Sequence, residues 1–196
     1  MIVKKIVAKL FKNNFLTFMM ILFFIGLIAG IIYFFNLSSL TQNEVLSSIN
    51  HVRDTGPYLN IINNQLLLII IIIIMSFSII GFPLIIFLFF YQAICLTFTG
   101  TAFVYFFGFK GLIFFLIYFI LSNLIYYIAL FYLTNLSYKM TITLINSLKK
   151  KIELNLGDFF RKHFSKYIVI LSILLIYNTL IYFFGSKILK IFIFLI

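Results

Sequence analysis

The segment IIGFPLIIFLFF, residues 79–90, decides the fold of this chain. It lies within an uncharged stretch that runs from Leu66 to Phe109. This stretch is either one long helix kinked at a proline or two helices joined by a turn. Proline lacks a backbone N–H donor and disfavours helical geometry in the residue before it. We predict a turn at Gly81–Pro83, because the distribution of charge requires this stretch to cross a membrane twice.

The composition is that of a membrane protein. Hydrophobic residues make up 64% of the 196-residue chain and charged residues 10%, whereas a soluble domain carries about a quarter charged residues. No water-soluble fold has an interior large enough for this apolar surface, so the bilayer must act as the solvent. The apolar runs are continuous rather than alternating, which predicts helices and not a barrel. The predicted fold class is all-α, a polytopic membrane helical bundle.

The pattern of apolar and polar runs divides this single membrane domain into segments. The first span is predicted to be an uncleaved anchor, because its apolar core is longer than that of a signal peptide and no small-residue cleavage site follows it. The predicted segments are a basic amphipathic segment at 1–12, spans at 15–36, 66–80, 84–107, 112–135 and 167–186, an extracytoplasmic loop with a short helix at 37–65, and a basic cytoplasmic loop at 136–166.

The orientation follows from the basic residues. The chain has 15 lysines and arginines against four acids, a net charge of +11, and most of them cluster at 1–12 and 136–166. Basic segments beside apolar spans remain in the cytoplasm and contact anionic lipid headgroups, which makes nucleic-acid binding a poor explanation of the charge. Two cytoplasmic clusters need an even number of crossings between them. Hence we predict about five spans, a cytoplasmic N-terminus, an outside C-terminus, and residence in a bacterial plasma membrane.

The loop at 37–65 contains a predicted amphipathic helix. Thr41 and Glu44 have the spacing of a capping box, and the apolar residues that follow share one helical face. This face either lies on the outer leaflet or offers a surface to an extracytoplasmic or membrane protein partner. The predicted partner surface consists of Val45, Leu46, Ile49 and Val52.

Polar and small residues within the spans are predicted to hold the helices together. Such side chains let helices approach closely and hydrogen-bond across their interface, although the same residues would also suit a polar path for a substrate. The predicted helix–helix contacts are Gln92, Thr97, Thr99, Asn123 and Asn178. The predicted turn and packing residues are Gly81, Pro83, Gly100, Lys110 and Gly111, with Lys110 at a span boundary because a lysine at mid-bilayer costs several kcal/mol.

The sequence contains no recognisable catalytic or metal-binding constellation. Its two histidines, His51 and His163, are predicted on opposite sides of the membrane, and the single cysteine, Cys95, leaves no partner for an internal disulfide. HExxH, GxSxG and P-loop motifs are missing, as are paired carboxylates at one depth. We therefore predict no catalytic, cofactor or metal site and no enzymatic activity.

The order of these features resembles that of the stage II sporulation protein M family of bacterial membrane proteins. The resemblance rests on IIGFPLIIFLFF, FGFKGLIFF and ILSNLIYYIALFYL, and it covers residues 79–135 best. The matching positions are Gly81, Pro83, Gly100, Lys110, Gly111 and Asn123. The chain departs from the family pattern at Gln92 and Leu96, where family members usually have glycines.

The resemblance implies a non-enzymatic scaffold or assembly factor, which in sporulating bacteria holds peptidoglycan-degrading proteins at the membrane during engulfment. Such a protein would present the 37–65 loop to its partners. The residues also leave open a permease-like subunit that docks on a separate ATPase through 136–166.

The predicted orientation can be tested by cysteine accessibility after Cys95 is replaced by serine. Single cysteines at Phe82 and Asn155 should react with a membrane-impermeant reagent only from the cytoplasmic side. Cysteines at Ser48, Lys110 and Phe194 should react from the outside of intact cells. Labelling of position 155 from outside would contradict the five-span prediction.

Overall fold

The computed structural model describes residues 14–55, 58–150 and 156–194, and these residues form six α-helices joined by short turns. The predicted basic segment at 1–12 lies outside the described residues. The helices are α1 (Asn14–Phe35), α2 (Ser39–Thr55), α3 (Tyr58–Ser76), α4 (Gly81–Ser122), α5 (Leu124–Lys150) and α6 (Leu156–Phe194).

The uncharged stretch of the sequence is broken into two helices. The turn occupies residues 77–80, and α4 begins at Gly81, so the prediction of a turn at Gly81–Pro83 is corrected by a few residues. Pro83 lies in the first turn of α4, where its missing N–H would have no helical partner in any case. Gly81 lies against the carbonyl oxygen of Met75 at the end of α3. A side chain at position 81 would clash with that backbone, so the glycine makes the turn tight.

Helix α1 packs along the first half of α4 in a parallel orientation. Residues further along α1 meet residues further along α4: Phe15 with Phe82, Phe23 with Phe89 and Tyr33 with Phe98, each pair with ring centroids 5.8 Å apart. Gly26 and Gly30 make this approach possible. A Cβ at Gly26 would lie 2.7 Å from the Cβ of Ala93, and one at Gly30 would meet Thr97 and the carbonyl of Ile94. Small residues serve the same purpose in many membrane helix pairs.

Helix α4 reverses direction at Gly108, which has φ 58° and ψ −138°. The first arm, 81–107, and the second arm, 109–122, then lie side by side. The rings of Phe103 and Phe114 are 5.2 Å apart, although eleven residues of continuous helix would separate them by about 16 Å. Gly111 lies against the carbonyl of Phe103. A positive φ at Gly108 favours glycine, and the two glycines together allow the tight reversal that the sequence predicted around Lys110.

The remaining helices complete an alternating bundle. Helix α5 returns along the first arm of α4, and α6 runs antiparallel to α5. We name one end the lysine-rich end, because Lys139 and Lys166 are exposed there. At this end the rings of Phe15 and Tyr138 stack 3.8 Å apart, and the rings of Phe77 and Tyr167 lie 5.7 Å apart. The other end, which we name the α2 end, holds α2 and the reversal at Gly108.

One apolar core connects α1, α3, α4, α5 and α6, while large apolar side chains also cover the outside of the bundle. Phe24 of α1 is 60% exposed and Ile176 of α6 is 64% exposed. Four helical segments among the described residues are long and apolar enough to cross a membrane: Asn14–Phe35, Gly81–Ile117, Leu124–Lys149 and Phe164–Ile181. These segments and the apolar exterior indicate a membrane protein with an all-helical fold.

The helices differ in length from the predicted spans. The apolar part of α3, Asn64–Ser76, is shorter than the four candidate spans, so a fifth crossing stays a prediction. The predicted span at 112–135 is divided by a bend at Asn123, and its second part continues as helix to Lys150. Helix α6 starts before the predicted span at 167–186 and ends after it. Helical structure therefore continues beyond the apolar segments at the lysine-rich end.

We expect Gly30→Leu to destabilise the bundle, because the added side chain would force α1 away from Thr97 and Ile94. Overpacking of this kind costs about 1–3 kcal/mol. Ile28→Leu is the matched control, since Ile28 is 59% exposed on the same helix. Thermal unfolding in detergent, followed by size-exclusion chromatography, should show a lower midpoint for Gly30→Leu alone. Equal midpoints for the two variants would contradict the close packing of α1 on α4.

Candidate functional site at the centre of the bundle

A bend at Asn123 separates the second arm of α4 from α5. Asn123 has φ −122° and ψ −21°, outside the usual helical range. The depth of Asn123 in the bundle can be read from Tyr127, one helical turn further along the chain. The hydroxyl of Tyr127 donates a hydrogen bond of 2.9 Å to the backbone oxygen of Gln92. Gln92 lies near the middle of the first arm of α4. The bend therefore lies at about half the height of the bundle.

Neighbouring helices bind the polar groups of this bend. The side-chain amide of Gln65 on α3 donates a 2.9 Å hydrogen bond to Oδ1 of Asn123. The hydroxyl of Tyr177 on α6 donates a 3.4 Å hydrogen bond to the backbone oxygen of Ile120. In lipid, the polar groups at a helix break need such partners from other helices. Side chains from α3 and α6 thus hold the bend from two sides.

Further neutral polar groups lie at similar depth. The side chains of Tyr91 and Cys95 lie one turn apart on α4. The ring of Tyr126 is only 2% exposed, and its hydroxyl has no hydrogen-bond partner in the described part of the chain. The cluster around Asn123 contains donors and acceptors without a formal charge. It can orient a neutral polar group or fix the helices in register, and it offers no obvious base or nucleophile pair for catalysis.

The five predicted contact residues take different places in this arrangement. Asn123 contacts α3 through its side chain, whereas Gln92 contacts α5 through its backbone oxygen. Thr97 lies against Gly30 of α1, and its hydroxyl donates to the carbonyl of Ala93 on its own helix.

The other two predicted contact residues are Thr99 on α4 and Asn178 on α6. The hydroxyl of Thr99 also bonds within its own helix, to the carbonyl of Cys95. Asn178 is buried in α6, with 5% of its surface exposed.

The predicted turn and packing residues cluster at the α2 end, apart from Gly81 and Pro83. A Cβ at Gly100 would lie 2.9 Å from the ring of Phe115, so this glycine allows the two arms of α4 to pack together. Lys110 is exposed at the reversal. This exposed position is the one expected for a lysine at the boundary of a span.

A second polar group of residues lies near the lysine-rich end, where α3, α5 and α6 meet. The hydroxyl of Tyr167 donates to the sulfur of Met140 at 3.0 Å. Ser76, Thr134, Ser137 and Thr141 are buried close to this layer. The Thr134 hydroxyl bonds to the carbonyl of Leu130 on its own helix, and the Thr141 hydroxyl has no partner within the described residues. Serine and threonine at such positions allow close packing of helices.

Helix α2 is capped differently from the prediction. The Ser38 hydroxyl accepts a 3.3 Å hydrogen bond from the backbone N–H of Thr41, so Ser38 takes the N-cap position that was predicted for Thr41. Val45, Leu46 and Ile49 are half-buried, and the side chain of Val52 lies outside the described residues. The opposite face of α2 is exposed: Leu40, Asn43, Glu44, Ser47 and Ser48.

Metal chemistry receives no support from the described residues, among which no three His, Cys, Asp or Glu side chains could hold a metal ion together. The side chains of His51 and His163 lie outside the described part of the chain.

Comparisons of the chain with protein-family models, with curated proteins and with solved structures find no match.

We expect the hydrogen bond between Gln65 and Asn123 to couple α3 to the bend. Gln65→Leu and Asn123→Leu should each destabilise the bundle, and the double variant should lose less than the sum. Hydrogen bonds between membrane helices contribute about 0.6–2 kcal/mol, so a double-mutant cycle of unfolding free energies in detergent should give a coupling in this range. Strict additivity of the two substitutions would contradict the contact.

Proposed function

We propose that this protein is a non-enzymatic integral membrane scaffold that binds partner proteins at its α2 end. The observation that carries the proposal is α2 itself, a separate helix that follows the first apolar helix and exposes one face over its described residues 39–48. The polar groups around the bend at Asn123 are neutral, and Gln65, Tyr127 and Tyr177 bond to neighbouring helices. They support a role in packing rather than in chemistry.

The exposed face of α2 suits a protein partner. Leu40 is 77% exposed and stands among the polar side chains of Asn43, Glu44 and Ser47. An apolar residue within a polar face can serve as the anchor of a small interface. Val45, Leu46 and Ile49, the surface expected from the sequence, are half-buried and better explained as the face by which α2 rests on the bundle or the lipid.

The resemblance to the stage II sporulation protein M family supports the same function. Under this proposal the lysine-rich end lies in the cytoplasm of a bacterial cell and the α2 end faces outward. Its partners would be extracytoplasmic or membrane proteins, with peptidoglycan-remodelling proteins as the class that the resemblance suggests.

A photo-crosslinking amino acid at position 40 should capture such a partner in living cells. We expect a defined crosslinked species at position 40 and none at Thr143, which is exposed at the other end of the bundle. Leu40→Arg should abolish co-purification of the same partner in mild detergent, because a charge replaces the apolar anchor.

Thr143→Arg is the matched control for Leu40→Arg and should leave co-purification unchanged. The scaffold proposal fails if the chain is isolated alone as a monomer and α2 can be deleted without effect on the cell.

A second candidate function is a permease-like subunit of a transporter that works with a separate ATPase. Two observations favour it: the bend at Asn123 at mid-depth and the extension of α5 and α6 beyond the lysine-rich end. Transporters often bind substrates at interrupted helices near the membrane centre. Recovery of an ATPase on the α5–α6 extension, rather than a partner on α2, would favour this function over the scaffold.

A further inference from the structure

The lysines whose side chains the structure describes at the lysine-rich end lie at two heights in the bundle. Lys139 lies between Tyr138 and Met140, and Lys166 precedes Tyr167. These neighbours belong to an aromatic layer at the lysine-rich end, since Tyr138 stacks on Phe15 and Tyr167 bonds to Met140. Lys139 and Lys166 are both exposed and therefore leave the bundle at the same level. Lys149 lies about ten residues further along α5, about 15 Å away.

This level coincides with lipid headgroups. The first arm of α4 measures about 38 Å from Phe82 to Phe107, whereas the hydrocarbon core of a bilayer is about 30 Å thick. A bundle centred in the bilayer thus places this aromatic layer a few Å beyond the hydrocarbon. Tyrosines are enriched at this depth in membrane proteins.

On each of the two helices, a row of exposed apolar side chains begins next to the lysine and runs toward the centre of the bundle. We call each row a stripe. On α5 the stripe above Lys139 has exposures of 40%, 61% and 50%, for Leu124, Ile128 and Tyr132. On α6 the stripe above Lys166 has exposures of 57%, 52%, 64% and 52%, for Val169, Ile173, Ile176 and Leu180. The residues of each stripe recur at helical spacing and face one side.

We propose that these two stripes are binding sites for anionic phospholipids. The acyl chains lie along the apolar side chains, and the phosphate with its net negative charge contacts the lysine ammonium group. No acidic residue occurs between Asn135 and Thr143 or between Lys162 and Ile170 in the sequence, so no neighbouring carboxylate along the chain competes for either lysine. The proposal concerns the lateral surface of the bundle and is independent of the partner on α2.

A third stripe provides an internal control. Ile80, the residue before α4, and Leu84, Phe87 and Tyr91 on α4 follow the same helical spacing from the same level, with exposures of 80%, 48%, 61% and 49%. Among the residues that the structure describes, no lysine lies at the lysine-rich end of this stripe. Zwitterionic and anionic lipids should contact this stripe equally.

The experiment uses the absence of tryptophan from the chain. Tyr132→Trp, Ile173→Trp and Phe87→Trp each introduce one fluorophore, five or six residues above the aromatic layer and hence at nearly equal depth. Each full-length variant is placed in phosphatidylcholine nanodiscs that contain a minor share of acyl-brominated phosphatidylglycerol or acyl-brominated phosphatidylcholine. Bromine quenches tryptophan on contact, so the ratio of the two quenching constants reports local enrichment of the anionic lipid.

We expect this ratio to exceed one at positions 132 and 173 and to equal one at position 87. A lysine near an anionic surface contributes about 1 kcal/mol, which corresponds to about fivefold enrichment. Lys139→Gln should remove the enrichment at position 132 and leave that at 173, and Lys166→Gln should do the reverse. Lys149→Gln should change neither ratio, since it lies beyond the headgroup level.

Two outcomes would overturn the proposal. Equal enrichment at all three positions would show that the net positive charge attracts anionic lipids without local sites. Enrichment that survives both Lys139→Gln and Lys166→Gln would show that other residues bind the headgroups. Because the quencher is carried by the acyl chain, binding of free phosphate gives no signal.

Discussion

The parallel contact between α1 and the first arm of α4 is the constraint on which the rest of the bundle depends. Two adjacent helices that run in the same direction must be joined by a chain that returns the full length of the bundle. Helix α3 makes this return, although its apolar part is short. The close approach at Gly26 and Gly30 therefore also requires α3 to run antiparallel to both α1 and the first arm of α4.

The polar groups at the central bend are hydrogen-bonded by side chains of neighbouring helices. Gln65 and Tyr177 reach the bend at Asn123 from two different helices, while threonines of α4 bond to their own backbone. No water is present at this depth of a bilayer to replace a missing partner. This explains why a bend in the middle of an apolar helix coincides with an amide on one neighbour and a phenol on another. It also explains how a chain with few charged residues can specify one helix register.

The sequence predicts the class of fold well and its local details less well. Charge and hydropathy suffice to predict a helical membrane protein and a break near Gly81. They do not place the turn at 77–80, because helix ends depend on the contact of Gly81 with Met75. The bend at Asn123 was not predicted, because Asn123 lies within an apolar run that was interpreted as one span. Its contact with Gln65 was not predicted either, because Gln65 was placed in the loop at 37–65. Ser38 was missed as a cap because Thr41 and Glu44 offered a stronger pattern, and Leu40 was consequently missed as a surface residue.

The bend at Asn123 lies at one end of a long, unbroken rod. Helix α5 extends about 40 Å from the bend to Lys150, and its last ten residues pass beyond the aromatic layer. Two contacts hold this rod where it leaves the core, the stacking of Tyr138 on Phe15 and the hydrogen bond from Tyr167 to Met140. Because the rod is fixed both there and at the bend, the direction of the ten residues beyond the core is set by the packing inside it.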